Sequence, residues 1–184
     1  MLAASLSLTW TSPLDALLPT LTPRDRDEAV RAGRRSVIHE DWGSEWRVDA
    51  GAGQAVTVMT PFHRLALAAR HSAFKARELK AREVEALLKE QGGKLVFWAT
   101  LRGGRADFAR FYVPALLAGG EEIKASFTQN ERTALRDGNG QYTARCQYVF
   151  PMERLDPRAT VTLLVRDVEE QVVAKFTVDL SAMR

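Results

Sequence analysis

The sequence predicts an α+β protein that is mainly β: an antiparallel β-sandwich, immunoglobulin-like in a loose sense, with an N-terminal helix and a two-helix insertion. Segments that alternate apolar and polar residues are concentrated after residue 93, whereas helical periodicity is confined to the first half of the chain. Strands that are grouped after helices in this way favour α+β over an alternating βαβ arrangement. The third observation is a strong hairpin pattern near the C-terminus.

That hairpin occupies residues 159–180. Apolar residues alternate with polar ones in 160–166 and again in 171–180, and the mostly polar stretch 167–170 separates the two runs. Because successive side chains of a strand point to opposite faces, the pattern predicts two strands that share one apolar face. We expect the apolar side chains of this hairpin and of two earlier strands to be buried: Val161, Leu163, Val165, Val172, Phe176, Val178, Leu180, Leu95, Phe97, Tyr148 and Phe150.

Length and composition are those of one ordinary folded domain. The chain has 184 residues, of which 46% are hydrophobic and 27% charged, with a net charge of +3. Such mild basicity disfavours a dedicated nucleic-acid binder. No apolar run approaches the roughly 20 residues that a membrane-spanning helix needs, so we expect a soluble protein. It is either cytoplasmic or exported with its signal peptide missing, because residues 1–10 are apolar but lack a basic start.

The single domain, residues 1–184, divides into four parts along the chain. Residues 1–21 form a proline-containing N-terminal arm, and residues 22–59 contain a helix and early strands. Residues 60–92 form the helical insertion, and residues 93–184 form the β-sandwich body.

Helix starts are marked twice by a threonine followed by proline, at Thr22 and Thr60. A hydroxyl cap followed by proline in the first turn is typical of a helix N-terminus. These starts predict helices to about residue 34 and over about 61–75, and apolar periodicity predicts a further helix over about 80–91.

Strands are predicted in both halves of the chain: 36–39, 45–49, 54–59, 94–101, 106–113, 123–127, 131–136 and 141–150. The sequence Asp137-Gly138-Asn139-Gly140 predicts a hairpin between the last two. Residues 94–101 are apolar in both phases, which predicts a central strand covered on both faces. Residues 151–158 are too long for a tight turn and predict a crossing to another sheet. Trp42 and Trp46 predict a packed corner.

No pattern in the sequence indicates catalysis or a cofactor. Cys146 is the only cysteine, which excludes an internal disulfide and a cysteine-based zinc site, and its position within a strand predicts a buried, unreactive thiol. His63 and His71 have no third ligand at a suitable spacing. Nucleophile elbow, phosphate loop and dinucleotide fingerprint are all missing from the sequence. We therefore expect no enzymatic activity, no cofactor and no metal.

The excess positive charge falls on the helical insertion. Residues 61–92 contain seven lysines or arginines against four glutamates. Such a face can contact an acidic protein, an anionic surface or nucleic acid. The alternative is a solvated surface with intrahelical pairs such as Glu78–Arg82 and Glu85–Lys89. The candidate contact surface consists of Arg64, Arg70, His71, Lys75, Arg77 and Arg82.

These patterns favour two functions. The leading hypothesis is an interaction module that presents the helical insertion to a protein partner, with an anionic surface as a second possibility and nucleic acid disfavoured. The alternative is a small apolar ligand held between the helices and the sheet, in a pocket lined by Phe62, Phe74 and Trp98. A closed helix–sheet interface would disfavour the alternative, and an apolar cavity of several hundred Å³ would support it.

Overall fold

The computed structural model of the chain describes residues 21–153 and 155–183. Within these residues the protein is α+β and mostly β, with three α-helices and two antiparallel sheets. The predicted N-terminal arm, apart from Leu21, lies outside the described residues, and so does the apolar run at residues 1–10.

The helices are α1 (Pro23–Arg35), α2 (Pro61–Phe74) and α3 (Ala81–Gln91), as the sequence predicts. Thr22 begins α1 with a capping box, in which its hydroxyl oxygen accepts from Asp25 N at 3.2 Å and its own N donates to the Asp25 carboxylate at 3.1 Å. Thr60 caps α2 by accepting a hydrogen bond of 3.0 Å from His63 N. Because α1 packs closely against α2, the N-terminal helix and the insertion form one helical layer.

Ten strands form the two sheets: β1 (Arg47–Gly51), β2 (Gln54–Met59), β3 (Lys94–Gly103), β4 (Val113–Ala118), β5 (Glu121–Lys124), β6 (Phe127–Gln129), β7 (Leu135–Arg136), β8 (Tyr142–Pro151), β9 (Thr160–Arg166) and β10 (Val172–Asp179). The larger sheet has the order β1-β2-β3-β8-β6, and β7 also pairs with β8. The smaller sheet has the order β10-β9-β4-β5. The predicted central position of β3 and the predicted crossing between sheets after β8 are both confirmed.

One apolar core joins the two sheets and the helical layer. It includes Phe97, Tyr148 and Phe150 of the larger sheet and Leu163 and Phe176 of the smaller sheet, all fully buried. A second, smaller cluster lies on the opposite face of the larger sheet, where Leu67 of α2 packs against it: Met59, Val96 and Val149.

Among the core residues predicted from the sequence, the prediction that Val172 is buried is wrong, since Val172 is 52% exposed. Val172 pairs with Arg166, whereas Ala174 pairs with Val165, so β10 holds one extra residue at this point. Such a β-bulge breaks the strict alternation of side chains. Val172 therefore lies on the exposed end of the strand, and burial begins at Ala174.

Of the predicted strands before the insertion, one is replaced by a 3-10 helix and another starts two residues later than predicted, after a 3-10 helix. Residues 36–39 form the 3-10 helix Ser36–Ile38, and residues 45–49 begin with the 3-10 helix Ser44–Trp46 before β1 starts. In the second of these, Gly43 has a φ of 101°, which turns the chain into the helix and allows Trp46 to reach the core.

Three predictions after the insertion are also wrong in detail. Residues 106–111 form turns, closed by hydrogen bonds such as Arg110 N to Asp107 O at 3.1 Å, and the strand begins only at Val113. Pro114 is tolerated in β4 because the pairing of β4 with β5 starts one residue later, at Ala115. Residues 123–127 are divided between β5 and β6, which belong to different sheets, and only Leu135 and Arg136 of 131–136 are in a strand.

The β7–β8 and β9–β10 hairpins close with the same hydrogen bonds. Asp137 N donates to Gln141 O at 2.7 Å, and the Asp137 carboxylate accepts from Asn139 N and Gln141 N, each at 2.9 Å. Asp167 makes the equivalent three hydrogen bonds in the β9–β10 hairpin. The residue before each glutamine has a positive φ: 81° at Gly140 and 61° at Glu170.

This geometry predicts that Glu170→Gly stabilises the protein. A left-handed conformation costs a residue with a Cβ about 1–2 kcal/mol, and glycine adopts it freely. We expect the free energy of unfolding in urea to rise by about 1 kcal/mol. Glu169→Gly is the matched control in the same loop, since Glu169 has no positive φ. Equal stabilities of the two variants would contradict the prediction.

Candidate functional site

A groove of about 780 Å³ lies on the outer face of the larger sheet, open to solvent along one side. Strands β2, β3 and β8 form its floor, α2 forms one wall, and residues 40–44 form the other. We call it the Trp98 groove. Its aromatic and basic lining includes Trp42, His63, Arg64, Arg70, Trp98 and Arg145.

Trp98 lies at the centre of the floor. Its neighbours on β3, Phe97 and Ala99, belong to the core, so Trp98 points to the opposite face of the sheet. It pairs with Thr57 of β2 and Gln147 of β8, and 38% of its surface is exposed. A large aromatic side chain in a central strand, beside small or polar neighbours, provides apolar surface that a ligand can cover.

An aromatic cluster forms the base of the helical wall. The rings of Trp46 and His63 are stacked, with centroids 4.1 Å apart, and Trp42 meets both edge-on at 5.5 Å. Trp46 is fully buried, which confirms the packed corner predicted for Trp42 and Trp46. The half-buried Trp42 also lines the groove.

His63 is held neutral at the base of the groove. Its Nδ1 lies 2.9 Å from Val58 O, and a carbonyl only accepts, so Nδ1 carries the hydrogen and Nε2 is left as an acceptor. Burial lowers the pKa of His63, and the hydrogen bond to Val58 partly opposes this effect.

The lowered pKa predicts a loss of stability on mild acidification. The unfolded chain binds a proton at His63 near pH 6.5, whereas the folded protein binds it only at lower pH. Stability should therefore fall as the pH drops from about 7 to about 5. The slope of the melting temperature with pH should be smaller in His63→Gln. His71→Gln, at an exposed histidine, is the control and should leave the slope unchanged. An unchanged slope in His63→Gln would contradict the prediction.

Arg70 is fixed in the helical wall. Its guanidinium donates to His39 O at 3.1 Å and lies 5.1 Å from the centre of the Trp42 ring. No carboxylate of the described residues forms an ion pair with it. One of its five N–H groups is used by His39, so most of its donors remain for a ligand.

Arg145 of β8 lies opposite Thr100, two residues along β3 from Trp98. Its backbone N donates to Glu131 Oε2 at 2.6 Å, but its guanidinium, like that of Arg70, forms no ion pair among residues 21–153 and 155–183. Arg47 and Arg64, which also line the groove, pair with Asp49 at 2.7 Å and with Glu90 at 3.8 Å. Of the four guanidinium groups that line the groove, two therefore have carboxylate partners within the described residues and two do not.

Only two of the six residues of the candidate contact surface predicted from the sequence lie in the groove. Arg64 and Arg70 line the groove. Arg77 instead pairs with Glu83, at 3.0 and 3.1 Å, and His71, Lys75 and Arg82 are exposed outside the groove. Glu78, which precedes α3, and Glu85 of α3 pair with Arg34 and Arg26 of α1, and not with Arg82 and Lys89 as the sequence predicts. These two glutamates thus connect α1 to the region of α3.

The three predicted pocket residues lie in different environments. Phe62 is 4% exposed and packs in the core beside Trp46, whereas Phe74 is 76% exposed at the end of α2. Trp98 is on the groove floor, where Met59 and Leu67 supply further apolar surface. The apolar interface predicted around Phe62 is closed, and the open volume lies on the other face of the sheet.

Cys146 is fully buried, and burial raises the pKa of its thiol. Labelling of the native protein with a thiol reagent should therefore be slow and should accelerate on unfolding, because the thiolate is the reactive form. A Cys146→Ala, Lys175→Cys variant, with an exposed thiol on β10, should label at once. Rapid labelling of native Cys146 would contradict this prediction.

Metal-binding clusters and membrane-spanning helices are both absent from the part of the chain that the structure describes. Residues 21–153 and 155–183 contain no group of three or more His, Cys, Asp or Glu that could hold a metal ion. None of their helices combines the length and hydropathy needed to cross a bilayer.

Comparison with known proteins gives one distant structural likeness. No protein-family model matches the sequence, and no curated protein matches it. The crystal structure of a protein of unknown function from Burkholderia pseudomallei K96243 has a TM-score of 0.43 and 11% sequence identity, over 88% of this chain and 91% of that chain. A likeness of this degree carries no argument about function.

Proposed function

We propose that this protein is a non-enzymatic interaction module that recognises another protein through the Trp98 groove. The observation that carries the proposal is the exposed Trp98 at the centre of the larger sheet, beside Arg70 and Arg145, whose guanidinium groups have no carboxylate partner among the described residues. Exposed aromatic and arginine side chains are the types most enriched at the energetic centres of protein interfaces.

The scaffold we propose for this module is a β-sandwich, immunoglobulin-like in a loose sense. A single core shared by two antiparallel sheets supports the sandwich arrangement. The crossing from β8 to β9 supports connections of the Greek-key kind. In such a scaffold the outer face of one sheet is free to carry a binding surface.

Photo-crosslinking tests the proposal directly. A photoreactive phenylalanine analogue in place of Trp98 should give protein adducts in the source cells, and the same analogue in place of Lys175 on the smaller sheet should not. Adding Arg145→Glu should remove the adducts, most completely at low salt, because exposed charges steer association. Identical adducts from both positions, or adducts that survive Arg145→Glu, would overturn the proposal.

The second candidate function is binding of a small apolar ligand. It is favoured by the volume of the groove, which falls within the range of ligand sites, and by Met59, Leu67 and Trp98 in its lining. Such a ligand would bind independently of salt and would be lost in Trp98→Ala but not in Arg145→Glu. Salt dependence of binding therefore separates the two candidates.

A further inference from the structure

The open floor of the Trp98 groove runs from Thr100 to Trp98 of β3. A smaller pocket of about 90 Å³ shares Met59, Arg64 and Trp98 with the groove and lies beside it, towards Lys94. The floor of this pocket is closed, because Val96 and Val149 are each 7% exposed and Leu67 packs against their cluster. From Thr100 to Trp98 the open floor is about 7 Å long at the usual rise of a strand, which an extended chain of about three residues covers.

The charged and apolar groups along the floor have the spacing of an extended chain. Trp98 and Thr100 point to the same face, about 7 Å apart, and Arg145 lies on the neighbouring strand opposite Thr100. Alternate side chains of an extended segment are also about 7 Å apart and on one face. Two such side chains can therefore reach Trp98 and Arg145 together.

The charges on the rim limit the chemistry of the occupant. Arg70 and Arg145 offer guanidinium donors with no carboxylate partner among the described residues, which suits one or two carboxylates. Glu40 and Asp41 also line the groove, and Glu90 lines the small pocket beside it. They would repel a nucleic-acid backbone, which has a negative charge at every nucleotide, whereas a protein segment can place its acids only where the arginines lie.

From these observations we propose that the groove binds an extended segment of a partner protein, at least three residues long, with an acidic residue two positions from a large apolar one. The apolar side chain covers Trp98, and the acidic side chain pairs with Arg145 or Arg70. This inference rests on the proposed function and adds the chemistry of the partner.

Selection from a random heptapeptide library displayed on phage tests the inference. The full-length protein is the bait, and Trp98→Ala is used for counter-selection. The enriched peptides should carry Asp or Glu two positions from an aromatic or long aliphatic residue. A synthetic peptide of the enriched sequence should bind at least tenfold more weakly to Arg145→Glu or to Arg70→Glu, by fluorescence anisotropy, and the larger loss identifies the arginine that pairs with the acidic residue. It should bind unchanged to Arg82→Glu, which alters an exposed cation outside the groove.

Three results would overturn the inference: enrichment of basic or uncharged peptides, no enrichment over Trp98→Ala, or equal binding to all three charge variants. Tighter binding of a single-stranded oligonucleotide than of the selected peptide would also overturn it. If any of these results occurred together with crosslinked adducts at Trp98, the proposed interaction module would stand and only the proposal of an acidic segment would fail.

Discussion

Replacing Phe176 by alanine should lower the free energy of unfolding by about 3–5 kcal/mol, the usual range for a buried phenylalanine. Phe176 is 1% exposed and pairs with Leu163 across the β9–β10 hairpin. Its ring belongs to the core that joins the two sheets. Alanine would leave a cavity between layers whose backbones are fixed by strand pairing, so little of the lost contact can be recovered by relaxation.

The same strand supplies the control for this prediction. Val172→Ala removes an apolar group that is exposed beyond the bulge, and its effect should be within about 0.5 kcal/mol. Both values come from urea unfolding of the wild type and the two variants. A folded Phe176→Ala protein with an unchanged midpoint would show that Phe176 does not contribute to the core.

Gly33→Ala should be the second most harmful of these substitutions. A Cβ on Gly33 would lie 2.0 Å from Ala66 O and 2.9 Å from the Cβ of Ala69, because α1 and α2 are in backbone contact here. Alanine is the better helix former by about 1 kcal/mol, but the overlap forces the helices apart. Overpacking costs about 1–3 kcal/mol, occasionally more. Because the overlap here is with the backbone of Ala66, we expect the upper end of this range, about 3 kcal/mol, and hence a net loss of about 2 kcal/mol.

Gly138→Ala is the matched control, since no heavy atom lies within 4 Å of its added Cβ and its φ is not left-handed. Its free energy of unfolding should differ little from that of the wild type. If Gly33→Ala were as stable as Gly138→Ala, the two helices would not be packed as closely as described. Displacement of α2 should also reduce peptide binding, because α2 carries Arg70 and His63 at the wall of the groove.

Local sequence patterns predict the starts of α1 and α2 and the C-terminal hairpin. Thr22 and Thr60 mark the helix starts, and the alternation in 160–180 predicts the hairpin whose core position Phe176 occupies. Val173 interrupts that alternation, and it is the available sign of the bulge that exposes Val172. The turns at 106–111 resemble a strand in sequence because Phe108 and Ala109 are apolar, and the hydrogen bond from Ala134 N to Ala106 O, at 2.7 Å, is not a local signal.

The candidate site is predictable from the sequence only in fragments. The sequence places Trp98 in an apolar pocket and Arg64 and Arg70 on a cationic surface, yet all three line one groove. Nothing in the sequence distinguishes Arg145, because its place opposite Thr100 depends on the pairing of β3 with β8, which are far apart in the chain. Residues of a single helix or strand can be grouped by periodicity, but the meeting of α2 with the outer face of β3 is set by tertiary packing.

The loop of the β7–β8 hairpin, residues 137–141, also affects the rate of asparagine deamidation. In an Asn-Gly sequence, the backbone nitrogen of the glycine can attack the asparagine side chain and release ammonia. Gly140 N donates to Asp137 O at 3.2 Å, so folding occupies the attacking atom with a hydrogen bond. Deamidation of Asn139, followed by mass spectrometry, should therefore be slower in the native protein than in urea. The β9–β10 hairpin has Glu169-Glu170 at the equivalent positions. That loop has a left-handed, strained backbone at Glu170 but contains no labile asparagine amide.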